Sequence, residues 1–114
     1  MKTVLKIEMM RNKQMSNLIK DGKYYNIFKA TLICQIIDGR EGISRYYKSQ
    51  TGVYYRTRIG WYKINPTRDD EKIEVEVEFN QMRTIIEACQ RKAPYFGNSN
   101  VFELPEEFTK ITEV

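Results

Sequence analysis

Four aromatic doublets stand beside cations in the first 63 residues. Tyr24-Tyr25 follows Lys23, and Tyr46-Tyr47 lies between Arg45 and Lys48. Tyr54-Tyr55 precedes Arg56 and Arg58, and Trp61-Tyr62 precedes Lys63. Rings that stack on bases and cations that hold phosphates are the two components of a surface for single-stranded nucleic acid. Stacking on an exposed ring contributes about 1–3 kcal/mol per base with little sequence preference. Each phosphate neutralised by Lys or Arg releases counterions, so affinity falls with salt. Arg45, Tyr46, Tyr47, Lys48, Tyr54, Arg56, Arg58 and Tyr62 are therefore the candidate nucleic-acid-binding residues.

The same residue types serve other ends. Tyr, Trp and Arg are enriched at protein-interface hot spots, so the set also fits a protein-interaction module: an inhibitor, an assembly factor or a complex subunit. Aromatic residues favour strands for packing reasons alone, and cations on edge strands discourage aggregation.

A second constellation is acidic. Asp69, Asp70, Glu71, Glu74, Glu76 and Glu78 fall within ten positions. A magnesium-dependent nuclease needs carboxylates that converge on the ion. Glu74, Glu76 and Glu78 in line along a strand share a face without converging, which reads as a solvated surface that could meet a basic partner.

Histidine is absent. Ser-His-Asp and Cys-His catalysis are excluded, and so is the commonest zinc ligand. Cys34 and Cys89 lack the close spacing of a metal site or a redox pair and read as reduced, buried thiols. Asp21-Gly22 and Asp38-Gly39 are turn chemistry, with no phosphate-cradling loop around either. The expectation is a non-catalytic protein without cofactor or metal.

Charge is segregated. Residues 1–63 hold 13 Lys+Arg against 4 Asp+Glu, net +9; residues 64–114 hold 6 against 11, net −5. The basic half points to a polyanion or an acidic protein surface.

The elements that must position these residues follow from periodicity. Alternating side chains predict a first strand over Thr3 to Met9. Lys20-Asp21-Gly22-Lys23 predicts a type I′ hairpin turn, with a short helix over Lys13 to Lys20 as the competing reading of its first arm. Tyr24 to Ile37 predicts a long central strand with Phe28, Ala30, Leu32, Cys34 and Ile36 on one face. Ile43 to Lys48 and Val53 to Ile64 predict two more strands around the turn Ser49 to Gly52, with a bend at Gly60. In the second of these, Val53, Tyr55, Thr57, Ile59 and Trp61 face a core, while Tyr54, Arg56, Arg58 and Tyr62 face outward. Those outward residues lie beside either Tyr46 and Lys48 or Arg45 and Tyr47, according to register.

Lys72 to Phe79 predicts a half-buried strand, with Ile73, Val75, Val77 and Phe79 inward. It is expected to lie away from the basic face. Asn80 is expected to cap a helix with the apolar stripe Met82, Ile85, Ile86 and Cys89, and Pro94 to stop it. Short strands over Val101 to Leu104 and Thr109 to Val114 complete the chain.

The fold class expected is α+β: strand-rich, about six antiparallel strands in a small barrel or strongly curled sheet (OB-like or SH3-like), with one helix near the C-terminus. Residues 1–114 form a single domain. No apolar run reaches the length of a membrane span, and Lys6 and Glu8 interrupt any leader pattern, so a cytoplasmic protein is expected. The expected partners are single-stranded nucleic acid through the basic-aromatic face, or another protein through that face or the acidic strand. A homodimer through the Tyr-rich surface is a further option.

Overall fold

A computed structural model describes residues 13–38, 42–60, 70–91 and 100–109. The expected strand Thr3 to Met9, the Trp61-Tyr62 doublet, Pro94 and residues 110–114 lie outside them.

The Asp-Gly signal holds. Strands β1 (Ile19–Lys20) and β2 (Lys23–Tyr24) pair antiparallel. Asp21 and Gly22 between them have φ of 53° and 75°, as a type I′ turn requires. The first arm is mostly a 3-10 helix, Lys13–Leu18. The second arm ends early, because the Asn26 side-chain carbonyl accepts from the Phe28 amide at 3.1 Å. This local turn competes with strand pairing. The predicted long strand is cut to β3 (Thr31–Asp38), and Phe28 is left 55% exposed.

The main sheet adds β4 (Gly42–Lys48), β5 (Tyr54–Ile59), β6 (Lys72–Val77) and β7 (Asn100–Val101). All its pairings are antiparallel, in the order β6-β5-β4-β3-β7. β6 and β7 stand at opposite edges, so the sheet is open. The expected α+β class is met, but not as a closed barrel: β7 returns beside β3 instead of meeting β6.

Between β4 and β5 the turn forms as expected. The Ser49 amide donates to the Val53 carbonyl at 2.8 Å and the Ser49 hydroxyl accepts from the Val53 amide at 2.9 Å. β4 begins at Gly42, where only glycine fits: φ is +107° and an added Cβ would sit 2.0 Å from the Ile59 carbonyl oxygen.

Helix α1 (Phe79–Gln90) starts one residue before the predicted Asn80 cap. Glu78 is the N-cap, and its amide donates to the Gln81 side chain at 3.2 Å, half of a capping box. Met82, Ile86 and Cys89 are buried against the sheet. The segment after Pro105 is a short helix, α2 (Glu106–Thr109). Its Phe108 stacks on Phe79 with centroids 4.8 Å apart.

Two apolar clusters result, one on each face of the sheet. On the helix face Ile33, Cys34, Tyr46 and Val77 pack with Met82, Ile86, Cys89 and Phe108. On the hairpin face Leu18, Tyr25 and Ile27 cover Tyr47, Tyr55 and Ile73. A register shift between Leu32 and Cys34 breaks the predicted apolar face of β3. Leu32 joins the hairpin-side cluster and Cys34 the helix-side one. Among the described residues no helix is long and apolar enough to cross a membrane.

Candidate binding surface

Register brings Tyr46 opposite Arg56 and Lys48 opposite Tyr54. The first of the two predicted registers is therefore the one adopted. Arg45 and Tyr47 go to the other face, opposite Thr57 and Tyr55. Tyr62 lies outside the described residues.

Of the predicted inward residues, Tyr55, Thr57 and Ile59 are buried, whereas Val53 precedes β5 and is exposed, and Trp61 lies outside the described residues. The predicted outward face is not open solvent, since α1 and α2 pack over part of it. Tyr46 is 5% exposed and Tyr47 fully buried. Tyr47 stacks on Tyr55 at 5.4 Å, and Tyr55 meets Tyr25 edge-on at 5.0 Å. These rings fill the interior, where no base can reach them. Tyr54 is half-buried, its ring 5.5 Å from Phe108.

The cations of the set meet carboxylates from the acidic half of the chain. β6 does not lie away from the basic face, as expected, but pairs directly with β5. A register shift opposite Arg56 and Thr57 makes Glu74 an extra residue in β6, a bulge that turns its side chain toward the arginines. Glu74 bridges Arg56 Nη2 at 2.8 Å and Arg58 Nε at 3.0 Å. Glu107 on α2 holds Lys48 Nζ at 2.6 Å and accepts from the Tyr54 hydroxyl. Glu76, on the opposite side of β6 from Glu74, accepts from Tyr25 at 2.7 Å and Lys23 at 3.3 Å.

These contacts move the titrations. Lys48 first, then Tyr54, hold the Glu107 carboxyl down to about 2. Lys23 and Tyr25 also hold Glu76 below the usual carboxylate range, with the Tyr25 hydroxyl the larger influence. Burial first, then the bond to Glu76, pushes Tyr25 up to about 12.

Glu71 was grouped by sequence with a solvated acidic run, yet it is fully buried on the hairpin face. It accepts from the Tyr47 hydroxyl at 2.5 Å, Thr57 Oγ1 at 2.7 Å and Arg45 Nη1 at 3.1 Å. Gln35 receives Arg45 Nε at 2.9 Å. Alternation alone could have found it: Glu71 stands two residues before the buried Ile73 and so shares its side of an extended chain.

The acidic strand also differs from its predicted form. Ile73 and Val77 are inward, as expected, but on opposite faces of the sheet; Val75 is 41% exposed and Phe79 is exposed. Glu74, Glu76 and Glu78 go to three different places, so they do not form one face. Among the described residues no group of carboxylates or thiols is arranged to hold a metal ion.

β6 is an edge strand of the main sheet, with the Lys13–Leu18 segment packed against part of it. Two hollows flank β6. One, of about 510 Å³, lies between β6 and α1 and is lined by Arg56, Val75, Val77, Gln81, Thr84 and Ile85, with Glu76 at its rim. The other, of about 220 Å³, lies toward the β1-β2 hairpin, among Lys20, Lys23, Tyr25, Val75 and Glu76. The Glu74 carbonyl on this edge accepts from Lys20 Nζ. Among the described residues no strand pairs with the outer edge of β6.

Comparison with protein-family models, curated proteins and solved structures gave no match.

Proposed function

We propose that this is a cytoplasmic, non-catalytic protein-interaction module that takes an extended peptide segment along the edge of β6. The observation that supports this reading is the pair of hollows on opposite sides of one edge strand. An added strand sends successive side chains to opposite faces, so one enters each hollow while the backbone bonds to the edge. The larger hollow offers Val75, Val77 and Ile85 to an apolar side chain. Glu78, exposed at the start of α1, suits a basic neighbour. The preferred occupant is a partner segment that alternates apolar and basic residues.

Single-stranded nucleic acid on Arg45, Lys48, Tyr54, Arg56 and Arg58 is the competing reading. Its phosphates would have to displace Glu74 and Glu107 from arginine and lysine, and only Tyr54 of the described rings in the set is partly accessible. That exchange weakens the reading relative to the peptide. OB-like or SH3-like closure is not required by either.

A capped synthetic peptide of alternating valine and lysine tests the proposal against labelled oligothymidine. The expected result is peptide binding that shifts the backbone NMR resonances of β6 and α1. Val75→Lys, at an exposed position, should weaken it at least roughly tenfold, the scale of one lost apolar anchor with added repulsion. Salt-sensitive oligothymidine binding that disappears in the Arg56→Ala, Arg58→Ala double variant, with no peptide binding, would overturn it. Self-association through the same edge, seen as a dimer in sedimentation and broken by Val75→Lys, would make the occupant a second copy of the chain.

A further inference from the structure

The β1-β2 hairpin reaches the edge strand of the main sheet with two lysines. Lys20 Nζ donates to the Glu74 carbonyl, and Lys23 Nζ meets Glu76 Oε1 at 3.3 Å. Both side chains line the smaller hollow, together with Tyr25 and Val75. The base of the hairpin is fixed: Leu18 and Tyr25 are buried with Tyr47, Tyr55 and Ile73, and the Tyr25 amide donates to the Leu18 carbonyl at 2.8 Å. Lys20 and Lys23 themselves are exposed, so their side chains can change rotamer while the hairpin stays in place.

Glu74 is the extra residue of the β6 bulge and has no partner position on β5. Its carboxylate is held by Arg56 and Arg58, which fixes the residue from the helix face while Lys20 comes from the hairpin. An edge carbonyl already bonded to an ammonium is a poor acceptor for an added strand. The incoming amide must displace the lysine or share the oxygen with it.

We propose that Lys20 is the gate of the β6 edge: its ammonium closes the Glu74 carbonyl in the resting protein and must swing out before an extended segment adds to the strand. This rests on the reading of β6 as a docking edge and adds what regulates access to it. On docking, the Glu74 oxygen exchanges an ammonium donor for a backbone amide, and Lys20 returns to water. A segment that turns lysines toward the hairpin is repelled by Lys20 and Lys23 as well as blocked. A segment with neutral residues there meets only the block. Lys23 holds a side chain, Glu76, and so separates the effect of charge from the effect of a closed carbonyl.

The test compares the parent with Lys20→Ala, Lys20→Arg and Lys23→Ala. It uses the capped valine–lysine peptide and a second capped peptide with serine in place of each lysine. In the free protein the Glu74 carbonyl carbon resonance should move in Lys20→Ala and stay in place in Lys23→Ala. Lys20→Ala should bind the serine peptide about tenfold more tightly than the parent, the scale of one hydrogen bond to a charged group. Lys20→Arg, which keeps the charge and the donors, should bind like the parent. Lys23→Ala should improve binding of the lysine peptide alone. An unmoved Glu74 resonance, equal affinity of Lys20→Ala and parent for the serine peptide, or an equal gain from Lys23→Ala with that peptide would each overturn the gate and leave the docking edge standing. No peptide binding by any form, with every form a monomer in sedimentation, would overturn both. A Lys20→Ala chain that dimerises where the parent does not, without taking peptide, would support the gate and make the occupant a second copy.

Discussion

The two faces of the sheet each set arginine against glutamate, and the surroundings make the two arrangements unequal. On the hairpin face Glu71 is sealed from water, with Arg45, Tyr47 and Thr57 on its oxygens. On the helix face Glu74 joins Arg56 and Arg58 with side chains about a quarter to a third exposed. Water competes for the second set and is excluded from the first. Removing one partner of a buried pair strands the others without solvent, whereas an exposed pair loses little. The first set therefore holds the fold together. The second ties Arg56 and Arg58 to Glu74 where water still reaches the groups.

The largest test of that contrast is Glu71→Ala. It leaves the Tyr47 and Thr57 hydroxyls and the Arg45 guanidinium short of an acceptor inside the core. Stability should fall by about 3–5 kcal/mol in urea unfolding. A loss below about 1 kcal/mol would erase the difference between the faces.

Acid should next affect the rim of the helix face. Glu107 sits at about 2 in the folded chain against an ordinary value of 4.5. A depressed carboxyl stabilises the fold at pH above its unfolded value, and that contribution is lost as pH falls from 4.5 through about 2. The carboxylate is close to one-third exposed, so screening reduces the contribution to about 0.5–1 kcal/mol. Urea titrations at pH 6 and pH 3 should show a Glu107→Gln variant converging with the parent at the lower pH.

Glu74→Gln should cost no more than about 1 kcal/mol by the same denaturation. Its more informative effect is on binding. If the arginines serve phosphates, the variant binds oligothymidine more tightly and with a steeper salt dependence. Unchanged binding leaves the cations as structural groups only. The smallest effect is expected from Lys23→Ala, whose exposed pair with Glu76 should leave the urea midpoint unmoved.

These contrasts explain what could be read along the chain. The Asp21-Gly22 hairpin and the Ser49–Gly52 turn were legible because each depends on a few neighbouring residues. The α1 stripe was legible for the same reason, although its cap falls two residues earlier than expected, at Glu78 instead of Asn80. β3 was misread because the Asn26 turn ends the extended run, and a shifted register at Ile33 divides its apolar residues between two cores. Alternation assumes unbroken pairing, and a single extra residue reverses every assignment beyond it. Glu74 shows this most clearly: its bulge sends it to Arg56 and Arg58 and leaves Glu76 facing Tyr25 on the other side.

The candidate residues show the same division. Their types and spacing brought Tyr54, Arg56 and Arg58 onto one side of β5 without any structure. Their availability depended on what packed above them and which carboxylates arrived from distant segments. By itself the sequence determined the local turns, the helical stripe, the strand-rich class and the segregation of +9 from −5. Only the tertiary structure decided that the two charged halves would neutralise each other across β5, β6 and α2. It also decided that Glu71 would be buried and that Cys34 and Cys89 would share one core cluster. The reason is range: turns and periodicity are set within a few bonds, while charge pairing and burial depend on which distant surfaces the chain brings together.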